Sequence, residues 1–541
     1  MKHILTLFLS ALFILAITVR CDTDELHDMN INPNAVQQID MNYFMTSLLL
    51  SVSNNGLRDD RYTDWRTNLG TCATVVQQLA TTGTGNIGSD GDKYMDNYPE
   101  GFNAPWDHLF NGDLRQATEI IVQTGEGGFY EGRMINTRCV ARILRAFSFG
   151  RLTDWYGSIP YSEANQGLDG IFQPHYDKQK PIYMDLLKEL DEACGAFNAS
   201  DADYSGFKAA DYVYNGDVTK WKKFGYSLML RMAMRISNVD AATAATYVNK
   251  AVAGGTMTDN SDNYASPMSI GPSEWANQNG ISRGMWPGDG GSWGGLLLSK
   301  TLVDKLKGPN IASTADDDPR LTIFTKGPIQ WTASDLGTVL EADPTKWEGL
   351  PNGLDGGMLA TIWGESITPY EHYCAMNPLM LQDDEVYMSI LNSAECEFLK
   401  AEAVVRGIGS VSGSAQSHYE AGVKLALQQY DVYDATFVVT DGQVASYLAT
   451  YPYNAATALD QIGTQLWLSK WMNWWDSWSD VRRTGFPALT ATNYPGNATG
   501  GVALNRLTIP YYESGGNPNY ATGATMPETL TTKVWWAGGP E

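Results

Sequence analysis

The chain has 541 residues, 43% of them hydrophobic and 18% charged, with 61 acidic against 37 basic residues and a net charge of −24. Such a surface is repelled by phosphate backbones and anionic headgroups, which argues against nucleic-acid binding and against electrostatic docking on lipid. The length is ample for a large core, and 17 Trp with 28 Tyr exceed what that core requires, which suggests exposed aromatic platforms.

Residues 1–20 read as a lipoprotein signal peptide. Lys2 and His3 open it, Ile4 to Val19 form an apolar run short for a bilayer span, and Cys21 follows directly. Cys21 is the expected lipidation site, although Arg20 stands where a small residue is usual. Residues 21–40 then form the lipidated cysteine and a polar tether, and residues 41–541 read as one domain. Within it, a helical scaffold is expected over about 41–254 and 385–483. A Gly-, Asn- and Trp-rich insertion spans about 255–384, and a loop-rich segment closes the chain at 484–541.

Helical spacing carries the scaffold assignment. Tyr183, Leu186, Leu187, Leu190, Cys194 and Phe197 form one apolar stripe. Val140, Ile143, Leu144, Phe147 and Leu152 form a second, and Trp221, Phe224, Leu228, Met232 and Ile236 a third. Phe398, Ala401 and Val405 continue a fourth. Helices are also expected over 73–80 and 296–306. Period-2 alternation is scarce, so the fold class is mostly α, built from helical hairpins. Cys72, Cys139, Cys194, Cys374 and Cys396 are odd in number and include no C-x-x-C pair, so they read as small buried hydrophobes.

Two catalytic motifs match by letter only. Gly83 to Gly88 fits G-x-G-x-x-G, but the expected helix before it and Asp90 and Asp92 after it do not suit a pyrophosphate. Gly290 to Gly294 fits G-x-S-x-G, yet Trp286-Pro287-Gly288-Asp289 cannot be the strand a nucleophile elbow needs. The histidines are too scattered for a zinc site. Asp90, Asp92 and Asp96 offer oxygen ligands for Ca²⁺, without the glycine and terminal glutamate of an EF-hand.

What remains is a set of aromatic and amide-bearing loops. Trp65, then Asp92, Tyr94 and Asn97, then Trp275, Asn277, Asn279, Arg283, Trp286, Trp293 and Trp331 are the candidate ligand contacts. Sugars offer flat C–H faces that stack on Trp and Tyr, and in-plane hydroxyls that pair with Asn, Asp and Arg.

Several blocks resemble the SusD/RagB family of Bacteroidetes outer-membrane lipoproteins. They are Ala141 to Phe147 with Leu152 to Gly157 and Pro160 to Ala164, and Tyr214 to Asp217 with Trp221 to Phe224 and Ser227 to Arg231. Asp318 to Leu321, Ser393 to Gly407 and Gln465 to Pro487 complete the set, in the same order along the chain. The resemblance implies about four tetratricopeptide-like helical hairpins packed against a large irregular loop-rich region, with no catalysis and no resident cofactor. It implies a structural role for Asp154, Arg231, Glu402, Arg482 and Arg483. It also implies a lipid-anchored protein on the exterior of the outer membrane, partnered by a SusC-like TonB-dependent transporter. An oligosaccharide ligand is expected; an oligopeptide ligand and, more remotely, polysaccharide hydrolysis are the alternatives.

Overall fold

The computed structural model describes residues 39–53, 63–84, 88–97, 99–269, 277–285, 295–332, 335–381 and 386–541. The chain is mostly helical, and its longest helices come as consecutive pairs. Asp113–Thr124 packs on Ile135–Tyr156, and Gln179–Ala196 on Val218–Arg235. Ser393–Arg406 packs on Ala415–Gln428, and Ala458–Ser469 on Trp474–Thr484. Val218–Arg235 also touches Ser393–Arg406, which joins the earlier pairs to the later ones across the insertion.

Each apolar stripe read from the sequence faces this core, with one exception. Tyr183, Leu186, Leu187, Leu190 and Cys194 are buried, as are Trp221, Phe224, Leu228, Met232 and Ile236. Val405, the penultimate residue of its helix, is exposed. Polar caps set the helix starts. The Asp217 carboxylate accepts from Thr219 N and Lys220 N, the Asn392 side chain accepts from Glu395 N, and Ser414 forms a reciprocal capping box with Ser417. The five described cysteines are free and buried. Burial pushes the Cys139 and Cys374 thiols up to about 12, which leaves them unreactive.

The pairs are tied together by buried charge. Arg231 donates to Glu395 through Nε (2.6 Å) and Nη2 (2.7 Å), and to Asp476 through Nη1 (3.1 Å). Lys470 bridges Glu395 (3.0 Å) and Asp480, while Arg235 lies 3.2 Å from Asp480 and 3.5 Å from Asp154. Arg483 makes a two-pronged pair with Glu402, and Arg482 donates to the carbonyls of Asp154 (2.8 Å) and Asn505 (2.7 Å). The residues expected to join helices therefore do so, by charge-assisted hydrogen bonds.

Two short antiparallel ladders place the loops. Tyr264–Ser266 pairs with Met388–Leu391 and closes the insertion at its root. Leu79–Thr81 pairs with Leu296–Leu298 and fastens the N-terminal loop to the insertion. Both strands of the second ladder lie where helix was expected, for local reasons. Gln77 adopts a left-handed conformation (φ 54°) that ends the helix beginning at Ala73. Ser299 caps the helix Lys300–Leu306, accepting from Leu302 N at 3.0 Å, so the three leucines before it enter the ladder. The terminal segment carries only short helices, and its Trp535 and Trp536 are buried against the helices Gln179–Ala196 and Trp474–Thr484. Among the described residues no helix is long and apolar enough to cross a membrane.

Candidate ligand-binding face

Three loop regions meet at one end of the scaffold: residues 79–97, 350–373 and 490–501. The joint is built on a buried ion pair. Lys93 Nζ donates to Asp92 at 2.8 Å and to the Thr81 carbonyl at 2.6 Å, and both charged side chains are fully buried. Asp92 also accepts from Asn352 Nδ2 (2.5 Å) and Gly353 N (3.1 Å), which brings in the insertion. Burial raises the Asp92 carboxyl, against the opposing pull of Lys93 and the hydrogen bonds. Thr492 Oγ1 donates to the Asp92 carbonyl at 3.0 Å, and Ala498 N to the Tyr94 carbonyl at 2.8 Å, which brings in the terminal segment.

Asp92 and Tyr94 therefore do not fit the ligand contacts expected from the sequence. Both are buried, because a carboxylate at this joint must be neutralised and because Tyr94 packs into the core. Asn279 is buried as well. Its Oδ1 accepts from Ile281 N (2.9 Å) and Ser282 N (3.1 Å), and its Nδ2 donates to the Val386 carbonyl (3.2 Å), so it caps the helix Gly280–Met285. These three side chains are structural.

Other candidates keep access to solvent. Asn97 is exposed; its backbone N–H donates to Asp90 at 3.0 Å, which holds the loop and leaves the side-chain amide outward. Asp90 and Asp92 are thus committed to protein partners, and among the described residues no group of acids, His or Cys is arranged to hold a metal. Trp65, half-buried, opens the π-helix Asp64–Cys72, against which both Gly280–Met285 and Ser89–Lys93 pack. A Cβ at Gly284 would lie 2.8 Å from Trp65 Cδ1, so only glycine permits this approach. Arg283 is half-buried on the helix Gly280–Met285, which packs on the same π-helix, and Asn277 is half-buried just before that helix. Trp275, Trp286 and Trp293 lie outside the described residues. So does the whole G-x-S-x-G match. Trp331 lies in the strand Ile329–Thr332.

The G-x-G-x-x-G match follows a strand, contrary to the sequence reading. The strand has three residues in a two-stranded ladder, and the helix Ser89–Lys93 after it has five, carrying Asp90 and Asp92. An acidic first turn opposes a phosphate.

The most complete platform was not singled out in the sequence. Trp363 ends the helix Gly356–Trp363 and is 40% exposed, beside exposed Ile362. Its indole Nε1 donates to Tyr373 Oη at 3.0 Å, and its ring lies 4.4 Å from the His372 ring at 45°. Tyr373 is buried in a small second core with Leu350 and Leu359, so the indole is held in place from beneath. Gly364, in the left-handed region (φ 77°), stops the helix at this residue. The helix is capped by Asp355, whose other oxygen accepts from Tyr494 Oη at 2.8 Å. The Met358 amide, then Tyr494, hold the Asp355 carboxyl below its usual value. A Trp-Gly step ending a short apolar run in the insertion was the available signal.

Comparisons with known proteins agree with this architecture. Residues 33–510 match the SusD-like family model described as starch-binding, associating with outer membrane. The chain is similar to the solved structure of a chitin-binding protein, with 28% identity and a TM-score of 0.76, over 92% of this chain and 100% of that one. It shares 22% identity and a TM-score of 0.74 with a Bacteroidetes AC2a SusD-like protein, over 92% and 100%. A chitin-binding SusD homologue from Flavobacterium johnsoniae matches at 21% identity and a TM-score of 0.67, over 92% and 99%. No curated protein matches.

Proposed function

Because this chain belongs to the SusD-like family, we propose that it is a non-catalytic surface lipoprotein that captures oligosaccharides for import. Captured chains pass to a SusC-like TonB-dependent transporter, and Cys21 carries the lipid that holds the protein at the outer membrane. The observation that supports glycan over peptide is the Trp363 platform, exposed and fixed by Tyr373 and His372 in one of the three loop regions that meet. A flat ring in a fixed orientation suits the C–H face of a pyranose. A peptide would ask instead for edge-on donors and acceptors along an extended strand.

The chitin-binding relative and the starch-binding family description name the probes. Calorimetry of the mature protein against chito-oligosaccharides, malto-oligosaccharides and mixed oligopeptides should show saturable binding to one of the glycan series, at roughly micromolar Kd. Binding confined to the peptides, or shortening of the glycans during incubation, would reject the reading. The anchor has its own test. Cys21→Ser should move the protein from the membrane fraction to the soluble fraction, and unchanged fractionation would remove Cys21 from this role.

A further inference from the structure

The helix Met41–Ser51 packs on Asp113–Thr124 and runs antiparallel to it. At one end Ser51 Oγ donates to Asp113 Oδ1 at 2.6 Å. At the other, Tyr130 Oη, in the turn after Thr124, donates to the Ile39 carbonyl at 3.3 Å. This second end exposes large apolar side chains: Tyr43 is 74% exposed, Val122 56%, Phe129 55% and Ile39 41%. Single exposed residues of this kind are ordinary, but four on adjoining segments at one end of a helix pair form a patch.

The backbone beneath the patch is held. Tyr130 N donates to the Gln123 carbonyl at 2.7 Å, so the turn folds back on the last residues of its helix. A Cβ at Gly128 would lie 2.3 Å from the Val122 carbonyl oxygen, so only glycine permits that approach. The Phe129 ring meets Tyr130 edge-on (4.8 Å, 89°), and Tyr43 follows the cap residue Asp40 by one turn. Charge narrows the choice of partner. These segments carry Asp40, Glu126 and Glu131, and their one cation, Arg133, is paired with Asp203 at 2.9 Å. Excess negative charge repels anionic headgroups, so contact here is apolar.

We propose that this patch rests on the bilayer surface, with Tyr43 and Phe129 in the headgroup layer, and so gives the anchored protein one fixed orientation. Position names the occupant, and the argument rests on the Cys21 anchor proposed above. Ile39 lies 18 residues after Cys21. A fully extended chain gains at most about 3.6 Å per residue, so this end of the fold stays within roughly 65 Å of the bilayer whichever way the rest turns. A patch so placed meets lipid as an intramolecular partner, at an effective concentration that makes even weak contact count. Tyr and Phe suit the interface because their rings bury apolar area there, and the Tyr hydroxyl keeps its water.

The test uses the lipidated mature protein in vesicles of phosphatidylcholine and phosphatidylethanolamine. Phe129→Cys carries an environment-sensitive fluorophore, and Val438→Cys, equally exposed on the loop after Ala415–Gln428, carries the same label as a control. Labelling is selective because the five cysteines of the body are buried and Cys21 is acylated. Nitroxide lipids should quench the label at position 129 severalfold more than the label at 438, and its emission should shift to the blue. Tyr43→Ser, a change at an exposed position, should reduce that quenching. Equal quenching at the two positions, with the protein still on the vesicles, overturns the patch and spares the anchor. Quenching that Tyr43→Ser leaves intact overturns it as well, since the label alone then enters the lipid. A blue shift without quenching gives the patch a protein cover instead, the tether or the transporter. Protein that does not stay with the vesicles sinks the anchor and the patch together.

Discussion

Arg231→Ala is expected to destabilise the fold by about 3–5 kcal/mol, measured by urea unfolding at neutral pH. The side chain reaches Glu395 with two donors and Asp476 with a third, all within 3.1 Å, and the three residues come from three different helices. Removing it leaves two buried carboxylates each short of a partner. Lys470 at 3.0 Å from Glu395 and Arg151 at 3.3 Å from Asp476 offset part of the loss, which favours the lower end of that range. A change below about 1 kcal/mol would mean that the network is redundant. Acid adds a second reading. Burial alone would raise Asp480, but Lys470, Arg235 and Arg483 outweigh it and hold the carboxyl at about 2. Burial likewise opposes ionisation of Asp476, and Arg231 leads the charges that pull its carboxyl well below the usual range. Both groups are depressed in the fold, so their stabilisation is present above the unfolded carboxylate value near 4. It is lost as pH falls through the folded values. Arg231→Ala should therefore also shift acid unfolding to higher pH.

The scaffold was legible because period and chemistry agreed. The stripe Tyr183 to Cys194 and the stripe Trp221 to Ile236 each mark one face of a helix, and that face is what the fold buries. The structural charges came from the family resemblance and not from periodicity, and their chemistry agrees with it: acids and arginines buried among helices must pair. The loops offered no such rule. Asp92, Tyr94 and Asn279 look like ligand residues, since residue type alone does not say whether a loop side chain turns outward or anchors its own backbone. Asp92 turned inward because Lys93 follows it and Asn352 meets it from far along the chain. Tyr373 beneath Trp363 is a tertiary fact of the same kind. Short strands were missed at Leu79–Thr81 and Leu296–Leu298 because a three-residue ladder is set by its partner and by the turn or cap beside it.

Trp363→Ala should weaken oligosaccharide binding at least tenfold by calorimetry while leaving the fold intact. One aromatic platform contributes about 1–3 kcal/mol when bases stack on it, and a pyranose face offers a comparable flat surface. The ring is exposed and ends its helix, so truncation opens no core cavity, and the expected stability change is below about 1 kcal/mol. Loss of binding would then report on the ligand and not on unfolding. Tyr373→Phe divides the platform further. It keeps the ring that packs under Trp363 and removes the hydroxyl that accepts from the indole N–H at 3.0 Å. If orientation matters, binding weakens severalfold even though Trp363 is still present; if only apolar area matters, Tyr373→Phe binds as the parent does. Unchanged affinity in Trp363→Ala, with the glycan still bound, would move the ligand off this ring and onto the Trp65 and Arg283 side of the face.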